Sequence, residues 1–247
     1  MKKILLFILL SVFITYYSQN LLLHYNYEVT NPMFNRTFDF PAVLLMDGKG
    51  QKMYSVLFGI ADSEANSENN PGTLFLIEKG SYSYAIYKGQ NNEHLISDEI
   101  GGKRYIFRDT FLPLKYELTG ETKTEKNIKL TKATTEFRGR KYIIWFDASS
   151  KIKGGPWKFT NLPGIAYEIY DGDSLFRWTL QRIENVNMAA GNLVQPKEFA
   201  APPLLYTEYP KLKYPTKAFI KDDTGKSGFQ MVQQTRDGLE KVFEWED

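Results

Sequence analysis

Residues Gly154–Ile165 read GGPWKFTNLPGI, so three glycines and two prolines separate four large apolar side chains. Glycine adopts backbone angles that other residues avoid, and proline fixes φ and removes an amide donor. This combination predicts a shaped corner of the chain rather than a tolerant surface loop. Within it, Leu162–Ile165 has Pro second and Gly third, the pattern of a type II turn. The stretch offers no nucleophile or general base, so we interpret it as a determinant of the fold.

Residues 1–19 have the layout of a secretory signal peptide. Lys2 and Lys3 precede an apolar run of eleven residues, and a more polar stretch follows. A membrane helix needs about 20 apolar residues, so the run favours a cleaved signal over a retained anchor. We expect cleavage near Ser18 or Gln19 and export through the inner membrane. The periplasm is the expected location, with outer-membrane association or secretion as alternatives, and residues 20–247 are expected to form one β domain.

The composition restricts the classes of partner and site. Removing residues 1–19 takes two lysines from the 31 basic residues and leaves 29, against 29 acidic residues. Such balance gives no electrostatic attraction to nucleic acid or to anionic membranes. We therefore expect no nucleic acid partner, and no stable membrane anchor after signal cleavage. Cys is absent, which excludes disulfides, thiolate metal sites, a cysteine nucleophile and a lipid on an N-terminal Cys.

Strand signals cover most of the chain. Aromatic residues make up 15% of it, and short apolar or alternating runs recur between turn signals such as Asp47–Gly50, Gly101-Gly102 and Asp171-Gly172. Strands are predicted at 21–29, 40–46, 52–60, 73–80, 81–89, 103–112, 127–137, 141–147 and 165–183, and less regularly at 218–223, 228–234 and 241–247. A polar surface loop is predicted at 61–72. The predicted fold is all-β and antiparallel with little helix, as a strongly curved sheet, a half-barrel or a barrel.

Catalytic motifs are missing. The two histidines, His24 and His94, are far apart in sequence, and we interpret both as surface residues. The GxSxG, P-loop and HExxH patterns are absent. We therefore expect no catalytic set, no metal and no cofactor, although a glycosidase-type carboxylate pair assembled across strands stays open.

Two groups of residues are candidates for ligand binding. Arg138 and Arg140 flank Gly139, a predicted bulge or bend, and two parallel guanidinium groups can clamp a carboxylate or phosphate. The alternative is a pair of salt bridges to residues such as Glu117 or Glu136. The second group is aromatic, and it forms either a core or an open trough for an apolar or glycan ligand. Its members are Trp145, Phe146, Trp157, Phe159, Tyr167, Tyr170, Phe176 and Trp178.

From Lys132 the chain reads KATTEFRGRKYIIWFDASSKIKGGPWKFTNLPGIAYEIYD. This stretch resembles the GLPGLI family of exported proteins of Bacteroidetes, within a core of about residues 125–185. The matching residues are Lys132, Ala133, Phe137, Gly139, Arg140, Tyr142, Trp145, Gly155, Pro156, Trp157, Lys158, Phe159, Leu162, Pro163 and Gly164. Asn161 replaces the first glycine of the family motif, and Asn also tolerates a left-handed conformation. The resemblance implies a bowl-like half-barrel, since a similar bowl-like module occurs in one type of peptide N-glycosidase. It implies no catalytic residues, because none are established for the family.

The resemblance and the composition lead to three hypotheses about function. The first is a non-enzymatic periplasmic binding or accessory protein that takes an apolar or glycan ligand, or an outer-membrane protein, on its concave face. Arg138, Arg140 and Trp145 are its candidate binding residues. The second is a glycan-directed hydrolase, or a hydrolase accessory domain, that uses carboxylates on strands. A structural envelope component is the third.

Overall fold

The computed structural model describes residues 20–47, 50–57, 84–88, 93–186, 197–221, 228–233 and 235–246. The predicted signal peptide at 1–19, the loop at 61–72 and the strand at 73–80 lie outside these ranges. The strands are β1 Asn20–Asn31, β2 Arg36–Met46, β3 Lys52–Val56, β4 Tyr84–Lys88, β5 Glu93–Ile100, β6 Lys103–Thr110, β7 Glu117–Glu125, β8 Ile128–Phe137, β9 Arg140–Asp147, β10 Ile165–Asp171, β11 Phe176–Val186, β12 Leu204–Leu205, β13 Thr216–Lys221 and β14 Gly228–Gln233. One helix, α1 Tyr209–Lys213, and two 3-10 turns, Lys197–Ala200 and Tyr206–Glu208, complete the described elements.

Twelve of the described strands form a single sheet in the order β12-β6-β5-β4-β3-β2-β1-β11-β10-β9-β8-β7. Neighbours pair antiparallel, except that β12 runs parallel to β6. The central strand β1 separates a meander of β2 to β6 from a meander of β7 to β11. β6 and the β8–β9 turn are distant in this order, yet their side chains form ion pairs. The sheet is therefore strongly curved, and the predicted all-β, bowl-like architecture is confirmed.

Three hairpins turn through residue pairs with positive φ at both positions, as type I′ turns require. These pairs are Gly101-Gly102, Lys126-Asn127 and Arg138-Gly139. Gly139 is therefore a hairpin residue: of the predicted bulge or bend between the two strands, the structure has the bend, as a tight turn. The predicted hairpin at Asp171-Gly172 is confirmed, since β10 and β11 pair antiparallel across it.

Apolar side chains cover both faces of the first half of the sheet. The larger cluster lies on the concave face and includes residues of both halves, from Leu23 and Ile96 to Ile144 and Trp178. A second cluster on the opposite face of β1 to β5 includes Leu45, Met53 and Phe199. Burial on two faces removes the apolar-polar alternation that identifies a half-buried strand.

Apart from the two-residue strand β12, the strands that were not predicted are the ones with a weak pattern. Five consecutive residues of β5 are buried, so it lacks alternation, and β7 is almost wholly exposed because it forms an edge of the sheet. The strand predicted at 241–247 is wrong, since the described residues 241–246 are irregular with a turn. We call residues 235–246 the C-terminal segment. Its Lys241 and Val242 amides donate to the Arg138 carbonyl instead of to a strand.

Candidate functional site

A cavity of about 560 Å³ lies on the concave face between the sheet, α1 and the C-terminal segment. Eight aromatic side chains line it, and six of them are tyrosines. The polar lining consists of Asp98, Glu99, Lys213 and Glu240. The Glu99 and Lys213 side chains are 50% and 34% exposed, so the cavity reaches solvent on their side.

The strands position three tyrosines in the cavity wall. Tyr27 lies on β1, Tyr54 on β3 and Tyr84 on β4. Side chains alternate between the faces of a strand, and these three point toward the concave side with the core cluster. Burial raises the pKa of all three hydroxyl groups above the usual range. They therefore stay protonated at neutral pH and present O–H donors.

Two tryptophans hold two of these tyrosines in place. The indole nitrogen of Trp178 donates to the Tyr54 hydroxyl at 2.8 Å, and that of Trp157 donates to the Tyr84 hydroxyl at 3.2 Å. An indole N–H is a donor only, so both hydroxyl groups act here as acceptors. Among the described residues, no group accepts the hydrogen of either hydroxyl.

A carboxylate faces the tyrosines from β5. Oδ2 of Asp98 accepts hydrogen bonds from the Tyr209 hydroxyl at 3.0 Å and from Nζ of Lys213 at 2.8 Å. No donor reaches Oδ1 of Asp98 within the part of the chain that the structure describes. The cavity thus combines aromatic surface, hydroxyl donors and one carboxylate oxygen that is available as an acceptor.

A buried ion cluster adjoins the cavity through Glu240, which lines it. The Arg138 guanidinium binds Asp109 in bidentate fashion, at 2.8 and 2.9 Å, and donates to Glu240 at 2.7 Å. Nζ of Lys158 donates to the same two carboxylates. Each of the four side chains is at most 5% exposed. The cluster joins β6, the β8–β9 turn, the GGPWKF corner and the C-terminal segment.

These contacts lower the pKa of the Asp109 carboxyl group. Burial alone would raise the pKa of its carboxyl, but the charge of Lys158 and the hydrogen bonds and charge of Arg138 outweigh burial and lower it to about 2. Because the pKa is lower in the folded state, the cluster contributes stability above pH 3.8, and this is lost as the pH falls through about 2.

We expect acidification from pH 4 to pH 2 to remove about 2 kcal/mol of the free energy of unfolding through Asp109 alone. Urea denaturation at a series of pH values measures this loss. Asp109→Asn should flatten the pH dependence of the free energy of unfolding between pH 4 and pH 2. Asp173→Asn, at a side chain that is 53% exposed, should retain the pH dependence of the wild type. Equal slopes for the wild type and Asp109→Asn would contradict the assignment.

Arg140 ties the C-terminal segment to the hairpin of β10 and β11. Its Nη1 binds the buried Asp171 and, at 3.1 Å, the exposed Asp173. Its other nitrogens donate to the carbonyls of Gly238 and Asp237 at 2.7 to 3.1 Å. Arg140 therefore holds in place the segment that forms part of the cavity wall.

The predicted ligand clamp is occupied by the protein itself. Every nitrogen of the Arg138 and Arg140 guanidinium groups has an intramolecular acceptor. The contacts favour the alternative of salt bridges, with Asp109, Glu240 and Asp171 as partners instead of the predicted Glu117 or Glu136. Trp145 lies outside the cavity, on the opposite face of β9 from Ile144, with Nζ of Lys123 at 4.9 Å from its ring.

The aromatic set divides between the two interpretations made from the sequence. Phe146, Trp157, Phe159, Phe176 and Trp178 are buried core residues. Of these, Trp157 and Phe176 also line the cavity. Trp145, Tyr167 and Tyr170 are only partly buried.

The corner holds its shape through close packing. Gly155 N donates to the Phe159 carbonyl at 2.8 Å, and Phe159 N donates to the Pro156 carbonyl at 3.2 Å. Trp157 has a φ of 53°, which is uncommon for a bulky residue. Phe159 and Leu162 are fully buried.

The prediction of a type II turn at Leu162–Ile165 was wrong, because Gly164 does not have the positive φ that the turn requires at its third position. Pro163 precedes a glycine that is needed for space: a Cβ at Gly164 would lie 2.0 Å from the Asp147 carbonyl oxygen. Asn161 also lacks a positive φ. Its side-chain amide donates to the Leu114 carbonyl at 2.8 Å and so links the corner to the segment after β6.

Both histidines are buried, so their prediction as surface residues was wrong. His24 is 5% and His94 is 3% exposed. Burial, together with Arg182, lowers the pKa of His24. Neither belongs to a metal-binding group, and no group of three His, Cys, Asp or Glu side chains suited to a metal occurs among the described residues.

No helix in the described ranges is long and apolar enough to cross a membrane.

The sequence did not identify the polar residues of the cavity. Tyr27, Tyr54 and Tyr84 come from strands separated by long stretches of chain, and Asp98 lies on a strand that lacks alternation. One signal was present: Lys158 stands between Trp157 and Phe159, and a lysine buried in such a corner needs carboxylate partners.

No protein-family model matches the chain, and no curated protein matches it. Among solved structures, PNGF-II in two crystal forms is similar, with TM-scores of 0.51 and 0.50 at 10% and 12% identity. The matches cover 84% and 85% of this chain but 36% and 38% of PNGF-II, so the chain spans a little over a third of that protein. The LolA superfamily protein NE2245 from Nitrosomonas europaea has a TM-score of 0.30 at 7% identity, over 72% of this chain and 90% of that one, too low to indicate a common fold. The likeness to PNGF-II supports a common curved-sheet fold.

Proposed function

We propose that the protein is a non-enzymatic binding or accessory module that takes a small apolar or glycan ligand into the cavity of its concave face. The observation that carries the proposal is the cavity itself, about 560 Å³ among eight aromatic side chains. Small-molecule sites occupy about 300–1,000 Å³ and combine apolar walls with a few convergent polar groups. The cavity has this size and this composition.

A glycan-directed hydrolase is the second candidate, because Asp98 and Glu240 line the same cavity. Glycosidases need one carboxyl group that donates a proton and another that attacks or activates water. Oε1 of Glu240 accepts hydrogen bonds from Arg138 and Lys158, and Oε2 accepts one from Tyr206. Since both oxygens are committed to the chain's own donors, these contacts favour binding over catalysis.

The similarity to PNGF-II supports an accessory role. PNGF-II is by name a peptide N-glycosidase, and this chain corresponds to a little over a third of it. We infer that the common part serves recognition, with the chemistry carried elsewhere in the larger protein.

We further propose that the chain belongs to the GLPGLI family and is exported to the periplasm or the outer membrane, with an outer-membrane protein as an alternative partner. The motif residues from Gly155 to Gly164 support the family membership, since the fold requires their close packing. Residues 1–19 support export through their signal-like layout. N-terminal sequencing of the protein from a fractionated cell tests this, and an intact Met1 in the cytoplasmic fraction would contradict it.

We expect a blocked cavity to lose its ligand. Leu239 lines the cavity, so Leu239→Trp should lower the affinity for a bound probe at least tenfold. Leu118→Trp, on the edge strand at a position 63% exposed, is the matched control and should bind as the wild type does. The probes are N-phenyl-1-naphthylamine and N,N′-diacetylchitobiose, followed by fluorescence and calorimetry.

Two results would overturn the binding function. The first is the failure of both probe classes to bind, and the second is undiminished binding by Leu239→Trp. Mass spectrometry of the oligosaccharide after incubation adds a further check, since cleavage would favour the hydrolase.

A further inference from the structure

Three hydroxyl groups in the cavity have hydrogens without an acceptor among the described residues. The Tyr54 and Tyr84 oxygens accept indole N–H groups, which leaves their own hydrogens free to donate. The Tyr27 hydroxyl has no partner of either kind in the described ranges. The Tyr27 hydroxyl oxygen reaches the open space of the cavity, and a hydroxyl group that a ligand covers without supplying a partner is costly. These side chains favour a ligand that supplies acceptor oxygens.

The cavity also offers an acceptor. Oδ1 of Asp98 receives no donor from the described residues, while Oδ2 is held by Tyr209 and Lys213. A ligand that fills the cavity therefore needs at least one donor group as well as several acceptors.

These requirements exclude three classes of ligand. A purely apolar molecule would bury the free hydroxyl groups and the Asp98 oxygen without partners. An anion would find the lining cation Lys213 already paired with Asp98. A cation would suit the aromatic walls and the Asp98 oxygen, but a cation without acceptor atoms would leave the hydrogens of the Tyr54 and Tyr84 hydroxyl groups unpaired.

From these contacts we infer that the cavity binds a neutral carbohydrate, whose oxygens accept from Tyr27, Tyr54 and Tyr84 and whose hydroxyl groups donate to Asp98. Each sugar hydroxyl both donates and accepts, and the apolar C–H face of a sugar ring packs on aromatic rings. This inference rests on the proposed binding function and names its ligand class.

The most informative variant is Tyr27→Phe, because it removes a hydroxyl group that has no hydrogen-bond partner among the described residues. We expect it to weaken carbohydrate binding roughly three- to tenfold, while the Tm of the free protein stays the same or rises. Tyr170→Phe, on the opposite face of the sheet with Arg177 over its ring, is the matched control and should leave the affinity unchanged. Calorimetry with N,N′-diacetylchitobiose, cellobiose and mannobiose measures the affinities.

The outcomes separate this inference from the proposed function. Binding of a neutral disaccharide that Tyr27→Phe weakens and Tyr170→Phe does not supports the inference. Binding of N-phenyl-1-naphthylamine or choline alone, each abolished by Leu239→Trp, overturns the carbohydrate inference and leaves the binding function standing. Disaccharide binding that Tyr27→Phe does not change also overturns it. If no probe binds, both proposals fail.

Discussion

Replacing Lys158 with Met is expected to lower the free energy of unfolding by about 3–5 kcal/mol. Its ammonium group is fully buried and donates to both Asp109 and Glu240. Met has a similar volume, so the change removes the charge with little change in packing. Two carboxylates would then share the single guanidinium of Arg138 in a buried site, which leaves one negative charge uncompensated.

The matched control for Lys158→Met removes an exposed ion pair of the same cluster. Glu244 binds Nε of Arg138, but its side chain is 57% exposed, and exposed pairs contribute about 1 kcal/mol or less. Glu244→Gln should therefore be nearly neutral. Urea denaturation at pH 7 compares the three proteins, and a Lys158→Met variant within about 1 kcal/mol of the wild type would refute the role assigned to the cluster.

The fold was predictable because its signals are local. Turn residues such as Asp171-Gly172 and the aromatic runs around them indicate strands and hairpins within about ten residues. The two longer strands that were missed, β5 and β7, lie where their surroundings in the sheet remove the apolar-polar alternation. β5 is covered on both faces, and β7 is an exposed edge.

The site was not predictable because it is assembled from distant parts of the chain. Tyr27 and Tyr54 meet in one cavity with Glu240 from the C-terminal segment, and no spacing in the sequence relates them. The Arg138-Gly139-Arg140 pattern was recognisable, but its function depends on its partners. The curvature of the sheet brings Asp109 close to Arg138, and the pairing of β10 with β9 brings Asp171 close to Arg140. The two arginines, which the sequence predicted to clamp a ligand, therefore hold the wall of the cavity instead.

The glycines of the corner illustrate the same limit. The sequence predicts that Gly164 supplies a positive φ, but its φ is not positive. The structure requires a glycine at this position because two backbone segments approach closely. A turn preference is local and appears in the sequence. The approach of Gly164 to β9 is tertiary and does not.

Gly164→Ala is expected to destabilise the protein by about 3 kcal/mol or more. The new Cβ would lie 2.0 Å from the Asp147 carbonyl oxygen and 2.9 Å from the Phe146 ring. The first is a backbone atom that cannot rotate away, so the corner or the end of β9 must move. Gly172→Ala is the matched control, since its nearest neighbour would be an ordinary contact at 3.6 Å, and it should be neutral or stabilising by about 0.4–1 kcal/mol. Thermal and urea unfolding distinguish the two, and equal stabilities would mean that close packing at Gly164 does not fix the corner.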